Sequence, residues 1–113
     1  MIDYKGSIEY RGKRYDLVFN LNVMEAIQVK YGSVDKWGEL TDKDEPDAAA
    51  LKFGVMHMLN EGIDIQNEET GAQTPFFTLK QVGRLISEVG ANTAAKAMQE
   101  TVIVSTQSDE KNA

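Results

Sequence analysis

Between Tyr15 and Leu21 the apolar residues fall on every second position, with Tyr15, Leu17, Phe19 and Leu21 alternating with Asp16, Val18 and Asn20. That is the period of a strand with one buried face. The pattern reaches back to Ile2 and is interrupted at Arg11-Gly12, where glycine supplies the positive φ of a tight hairpin turn. With those residues as the loop, Tyr10 pairs with Lys13, Ile8 with Tyr15, Gly6 with Leu17, Tyr4 with Phe19 and Ile2 with Leu21. The apolar side chains then share one face, so turn and alternation specify the same register. Gly6 opposite Leu17 marks a bend or a close contact.

After Leu21 the period becomes helical. Asn22 is placed to cap a first helix, with Glu25 reaching back in a capping box; Val23, Met24, Ile27 and Tyr31 form its stripe, and Gly32 ends it. A short turn or helix around Val34 to Leu40 holds Trp37, and the polar run Thr41 to Asp47 is a connector. Asp44 is read as the cap of a second helix, Pro46 to Glu61, with Glu45, Pro46 and Asp47 in its first turn. This helix has two apolar stripes on nearly opposite sides, Ala48, Leu51, Val55, Met58, Leu59 and Gly62 on one, Ala49, Phe53 and Met56 on the other. A helix of that kind either runs through a core or offers its second side to a partner.

The stretch from Ile63 to Phe77 reads as a long polar connection, with Glu69-Thr70-Gly71 able to turn a second, marginal hairpin. Thr78 and Gln81 form another capping box, and Leu79, Val82, Leu85, Ile86 and Val89 make a helical stripe ending at Gly90. Asn92 is read as the cap of a fourth helix carrying Ala95, Met98 and Val102 and fading near Val104. The expectation is an α+β fold, mostly helical: an N-terminal β-hairpin followed by three to four packed helices. One domain spans 1–104, and 105–113, without a large apolar residue, is a flexible tail.

Composition narrows the function. With 42% hydrophobic residues in 113, one core is affordable. The net charge of −6, with the basic residues scattered, argues against nucleic acid, which requires a basic stripe. No cysteine is present, which removes disulfides, thiolate metal sites and thiol nucleophiles. Neither a signal segment nor a run of 18 apolar residues occurs, so the expected address is the cytoplasm, without membrane contact.

Candidate chemistry is sparse. His57 is the single histidine and projects from the helix away from both stripes, beside Glu61, without oriented partners. The acidic run Asp42, Asp44, Glu45 and Asp47 lacks the glycine of a calcium loop, has Pro46 at a ligand position and Phe53 in place of the bidentate Glu. Gly54 and Gly83 sit inside helices, at a cost of up to about 1 kcal/mol each against alanine, and so point to close approaches within the chain or between chains. No catalytic residue, cofactor or metal is assigned. The candidates for binding a partner are Trp37, Phe53, Met56, Phe76 and Phe77, large apolar side chains at loop edges or on the second helical stripe; their alternative role is to pin loops onto the core.

The run Gly12-Lys13-Arg14-Tyr15-Asp16-Leu17-Val18-Phe19-Asn20-Leu21-Asn22, followed by a helix and Tyr31-Gly32-Ser33, resembles the opening of the tail assembly chaperones of long-tailed bacteriophages and prophages. The likeness continues through Ala50-Leu51-Lys52-Phe53, Leu59-Asn60-Glu61-Gly62 and Phe77-Thr78-Leu79-Lys80-Gln81-Val82. It is one of spacing and residue class and covers the chain apart from its tail. The resemblance implies a non-catalytic protein of the bacterial host cytoplasm, absent from the finished virion. It would bind the tape measure protein and help recruit tail tube protein, with homo-oligomerisation left open. Many such genes carry a programmed frameshift, and Glu110-Lys111-Asn112 is compatible with a slippery adenine run. The alternative is a structural subunit of a phage tail or head-tail joint; an enzyme, or an inhibitor of a host enzyme, is a third reading.

Overall fold

The computed structural model describes residues 6–112, with side chains as far as residue 106. Strands β1 (Gly6–Tyr10) and β2 (Lys13–Leu17) are followed by helices α1 (Leu21–Tyr31), α2 (Val34–Thr41), α3 (Ala48–Thr70), α4 (Leu79–Val89) and α5 (Ala91–Asn112). The fold is α+β and mostly helical, as expected. Among the described residues it has five helices, because the Trp37 segment forms a full helix, capped by Ser33, whose hydroxyl accepts from Lys36 N at 3.1 Å.

The hairpin has the expected register, with Gly6 opposite Leu17, Ile8 opposite Tyr15 and Tyr10 opposite Lys13. Arg11 and Gly12 both take positive φ, 52° and 75°, the two-residue turn whose twist matches the strands. Tyr4 and Ile2, the remaining expected partners, lie outside the described residues. A two-stranded sheet is marginal alone; this one buries Ile8 and Leu17 against the helices while Glu9, Arg14 and Asp16 face out.

Three helix starts differ from the expected ones. Asn20, not Asn22, caps α1 by accepting from Val23 N at 3.3 Å, so Leu21 leaves the strand and opens the helix 76% exposed. Asp47, not Asp44, caps α3 through Ala50 N at 3.0 Å. Its backbone N–H donates to Leu40 O at 2.8 Å, which fixes the end of the connector against α2. Asn92 lies within α5, whose first intrahelical bond runs from Ala94 N to Gly90 O, 3.0 Å, so α4 and α5 meet at Gly90 with no loop between them. The α4 capping box is present in both halves, at 3.1 and 2.8 Å.

The larger correction concerns Ile63 to Phe77. There is no second hairpin: α3 runs on to Thr70 and stops at Gly71, which takes φ 74° and donates to Asn67 O. Only Ala72 to Thr78 remain as connector, and Asn67 holds it by exchanging two hydrogen bonds with Thr74, 3.0 and 3.1 Å. In α5, likewise, the helical backbone passes Val104 and reaches Asn112, because an established helix extends at one bond per added residue without a new nucleation cost.

Helix α3 is the axis of the core. It touches β2 and all four other helices, and buries Leu51, Val55, Met58, Leu59 and Ile63. Two of its glycines permit close approach: a Cβ at Gly62 would lie 2.9 Å from the Asp16 carbonyl, and one at Gly54 would strike the Trp37 ring and come within 2.8 Å of Met98 Sδ. Among the described residues no helix is long and apolar enough to cross a membrane. Gly54→Ala is expected to cost about 1–3 kcal/mol through overpacking, whatever alanine adds in helix propensity; urea denaturation with unchanged or raised stability would refute the Trp37 contact.

Candidate docking surfaces

The five apolar candidates separate by burial. Trp37 is 2% exposed; its Nε1 donates to Ala50 O at 3.0 Å, and its ring lies over Gly54. It fastens α2 to the first turns of α3, so of its two expected roles it fills the one that pins a segment onto the core and not that of a partner anchor. Phe53 and Met56 are half-buried, because α1 folds over the second stripe of α3. The Phe53 ring meets Tyr31 edge-on at 5.5 Å and His57 at 4.4 Å, with Lys30 Nζ 5.7 Å from its centre. Burial, and then the Asp47 carboxylate, push the Tyr31 hydroxyl above its usual range, so it stays neutral.

Phe77 and Phe76 divide the two proposed roles. Phe77 packs edge-on against Tyr15 at 5.2 Å, and its backbone is clamped by Asn60, which accepts from Phe77 N at 2.8 Å and donates to Phe77 O at 3.0 Å. Phe76 points out, 54% exposed. Its ring borders a small pocket of about 150 Å³ shared with Asn22, Asn60, Glu61, Asp64 and His57. His57 is therefore half-buried rather than a free surface residue, and burial lowers its pKa below the ordinary 6.5.

Two wider grooves were not read from the sequence. One, of about 640 Å³, lies between α2 and α5; Val34, Val102 and the 52% exposed Ile103 line it together with Asp35, Glu39 and Asp42. Gln99 borders it, with a buried Nε2 that has no hydrogen-bond partner among the described residues. The other, of about 800 Å³, runs between the N-terminal part of α3 and α4, below the hairpin turn. Its cationic residues come from three places in the chain, Arg11 at the hairpin turn, Lys52 on α3, and Lys80 and Arg84 one turn apart on α4; Gly83 inside a helix is the other signal of it in the sequence. Among the described residues no group of three or more His, Cys, Asp or Glu is placed to hold a metal ion.

No protein-family model, curated protein or solved structure matches this chain.

Two outcomes test this geometry. The half-buried, neutral His57 stabilises the fold above the unfolded-state pKa of about 6.5, and that contribution is lost as pH falls through its lower folded value. An NMR titration should place the His57 midpoint below 6.5, and a midpoint above it would contradict the burial. Asn60→Ala should cost about 1–3 kcal/mol, since it removes both clamps and leaves backbone polar groups of Phe77 unpaired; denaturation without loss would show that the clamp is idle.

Proposed function

We propose that this domain is a non-catalytic assembly chaperone. It binds the tape measure protein of a phage tail in the bacterial cytoplasm and helps recruit tail tube subunits. The reading draws first on the residues that resemble that family, and one observation supports it: the separate stretches that carry the likeness meet in space. Asn20 and Asn22 of the run that opens at Gly12 donate to Glu61 Oε2 of Leu59-Asn60-Glu61-Gly62 at 2.6 and 3.0 Å. Asn60 of that same stretch clamps Phe77, which opens the last one. A resemblance of spacing thus corresponds to one set of joints that fixes α1, α3 and the approach to α4.

The surface suits a protein that holds another. Exposed Phe76 and Ile103 border depressions that are open to solvent, which fits reversible docking of an apolar helix side chain. The net charge of −6 keeps such a holder soluble while its client is unassembled.

Co-expression with the long helical protein encoded beside it tests the proposal. The client should move to the soluble fraction and co-purify; equal solubility without the domain would reject the chaperone role. Recovery of the domain at many copies in purified virions would replace it with the structural-subunit reading. Phe53→Asp is expected to destabilise the fold, since it inserts a charge between Tyr31 and His57. Phe76→Asp should leave the melting curve in place and weaken co-purification; unchanged co-purification would remove Phe76 from the docking surface.

A further inference from the structure

The α3–α4 groove has a charge opposite to that of the chain. The protein has 12 Lys and Arg against 18 Asp and Glu, yet Arg11, Lys52, Lys80 and Arg84 line this one depression. Glu88 is the acid among the lining residues, and it pairs with Arg11 at 3.7 Å. Lys52, Lys80 and Arg84 have no ion-pair partner among the described residues. Pro46, Ala48 and Ala91 line the same depression with apolar surface that solvent reaches, above the buried Leu51 and Ile86.

Gly83 supplies a second, independent observation. A glycine inside a helix costs up to about 1 kcal/mol against alanine. At Gly54 the Trp37 ring and Met98 explain the missing Cβ. At Gly83 nothing in the domain does: a Cβ there would meet only the end of the Lys52 side chain, 3.4 Å from Cε and 3.5 Å from Nζ, and that end can swing away. The bare backbone of α4 is presented to the groove, where a second backbone can come close.

We propose that the α3–α4 groove binds an amphipathic helix of a partner protein that carries carboxylates beside its apolar stripe. The stripe rests on Pro46, Ala48 and Ala91, the helix passes closest at Gly83, and its carboxylates meet Lys52, Lys80 and Arg84. The apolar lining and the short cationic rim favour such a helix over a nucleic acid, which requires a continuous basic stripe that a chain of net charge −6 does not provide. The inference deepens the chaperone reading and rests on it only in taking the occupant to be a protein.

The test uses the full chain, 15N-labelled, and a hydrocarbon-stapled helix of about five turns with leucines at helical spacing flanked by glutamates. Saturable amide shifts are expected at Lys52, Gly83 and Arg84, weakening with added salt. Gly83→Leu, which fills the groove, and Arg84→Glu, which reverses a wall charge, should each raise Kd about tenfold or more with melting curves unchanged. The proposal is overturned if the same peptide with lysines for glutamates binds equally well, if the shifts map elsewhere or are absent, or if both variants bind like wild type. It is also overturned if inorganic phosphate or a short DNA oligonucleotide reproduces the shifts, or if they arise on concentrating the protein alone, which would make the occupant a second copy. If the peptide occupies the groove but the co-expressed client does not co-purify, the chaperone reading falls and the groove stands. If the client co-purifies equally with wild type and Arg84→Glu while the peptide fails to bind, the groove falls and the chaperone reading stands.

Discussion

The packing of every other helix and of β2 around one helix is the constraint from which the rest of the fold follows. Because α3 is covered on several sides, it cannot show the single apolar stripe of a surface helix, and its buried positions wind around the axis from Ala50 to Ile63. Each large apolar side chain sunk there is worth about 1.5–3 kcal/mol of transfer free energy. Crowding sets the limit: neighbours can converge only where α3 is thin. Gly54 receives the Trp37 ring, and Gly62 lets the Asp16 carbonyl approach, close to where Val18 N donates to Met58 O at 3.2 Å.

The polar residues of α3 have a corresponding task. On the side where the chain passes from β2 into α1, Glu61 accepts from Asn20 and Asn22. Where it returns towards α4, Asn60 and Asn67 grip the backbone at Phe77 and Thr74. The connectors on both sides of α3 are thus tied to it by side-chain amides and a carboxylate, and residues that look like an ordinary polar face in sequence orient the elements that flank the Phe76 pocket. Removing Asn60 or Asn67 would leave a backbone donor and a backbone acceptor, at Phe77 or Thr74, without their partners.

What the sequence reveals follows from how many independent signals agree at a given place. At the hairpin, alternation and a two-residue turn each demand one register, and at α4 both halves of a capping box coincide with a stripe. At α1 two asparagines stand two residues apart, either can cap, and only the packing of Phe19 at 5% exposure decides that the chain turns at Asn20. The length of α3 is hard to read because Asp64 to Thr70 is largely polar, and Gly71 immediately after it serves equally as a helix stop and as the end of a Glu69-Thr70-Gly71 turn. For the docking surfaces the limit is different in kind. Burial of Trp37 and exposure of Phe76 are both compatible with an aromatic at a loop edge, and a groove built from positions 11, 52, 80 and 84 exists only once α3 and α4 lie side by side.

Those two helices also bear on selectivity, because the wide grooves differ in sign. The α2–α5 groove is bordered by Asp35, Glu39 and Asp42, the α3–α4 groove by Arg11, Lys52, Lys80 and Arg84. An apolar stripe alone would find both attractive, since burial has no direction. Carboxylates beside the stripe would be drawn to one groove and repelled from the other, and rejection of the wrong site contributes to specificity as much as attraction to the right one. In the proposed complex, wall charges set both the choice of groove and the rate of encounter.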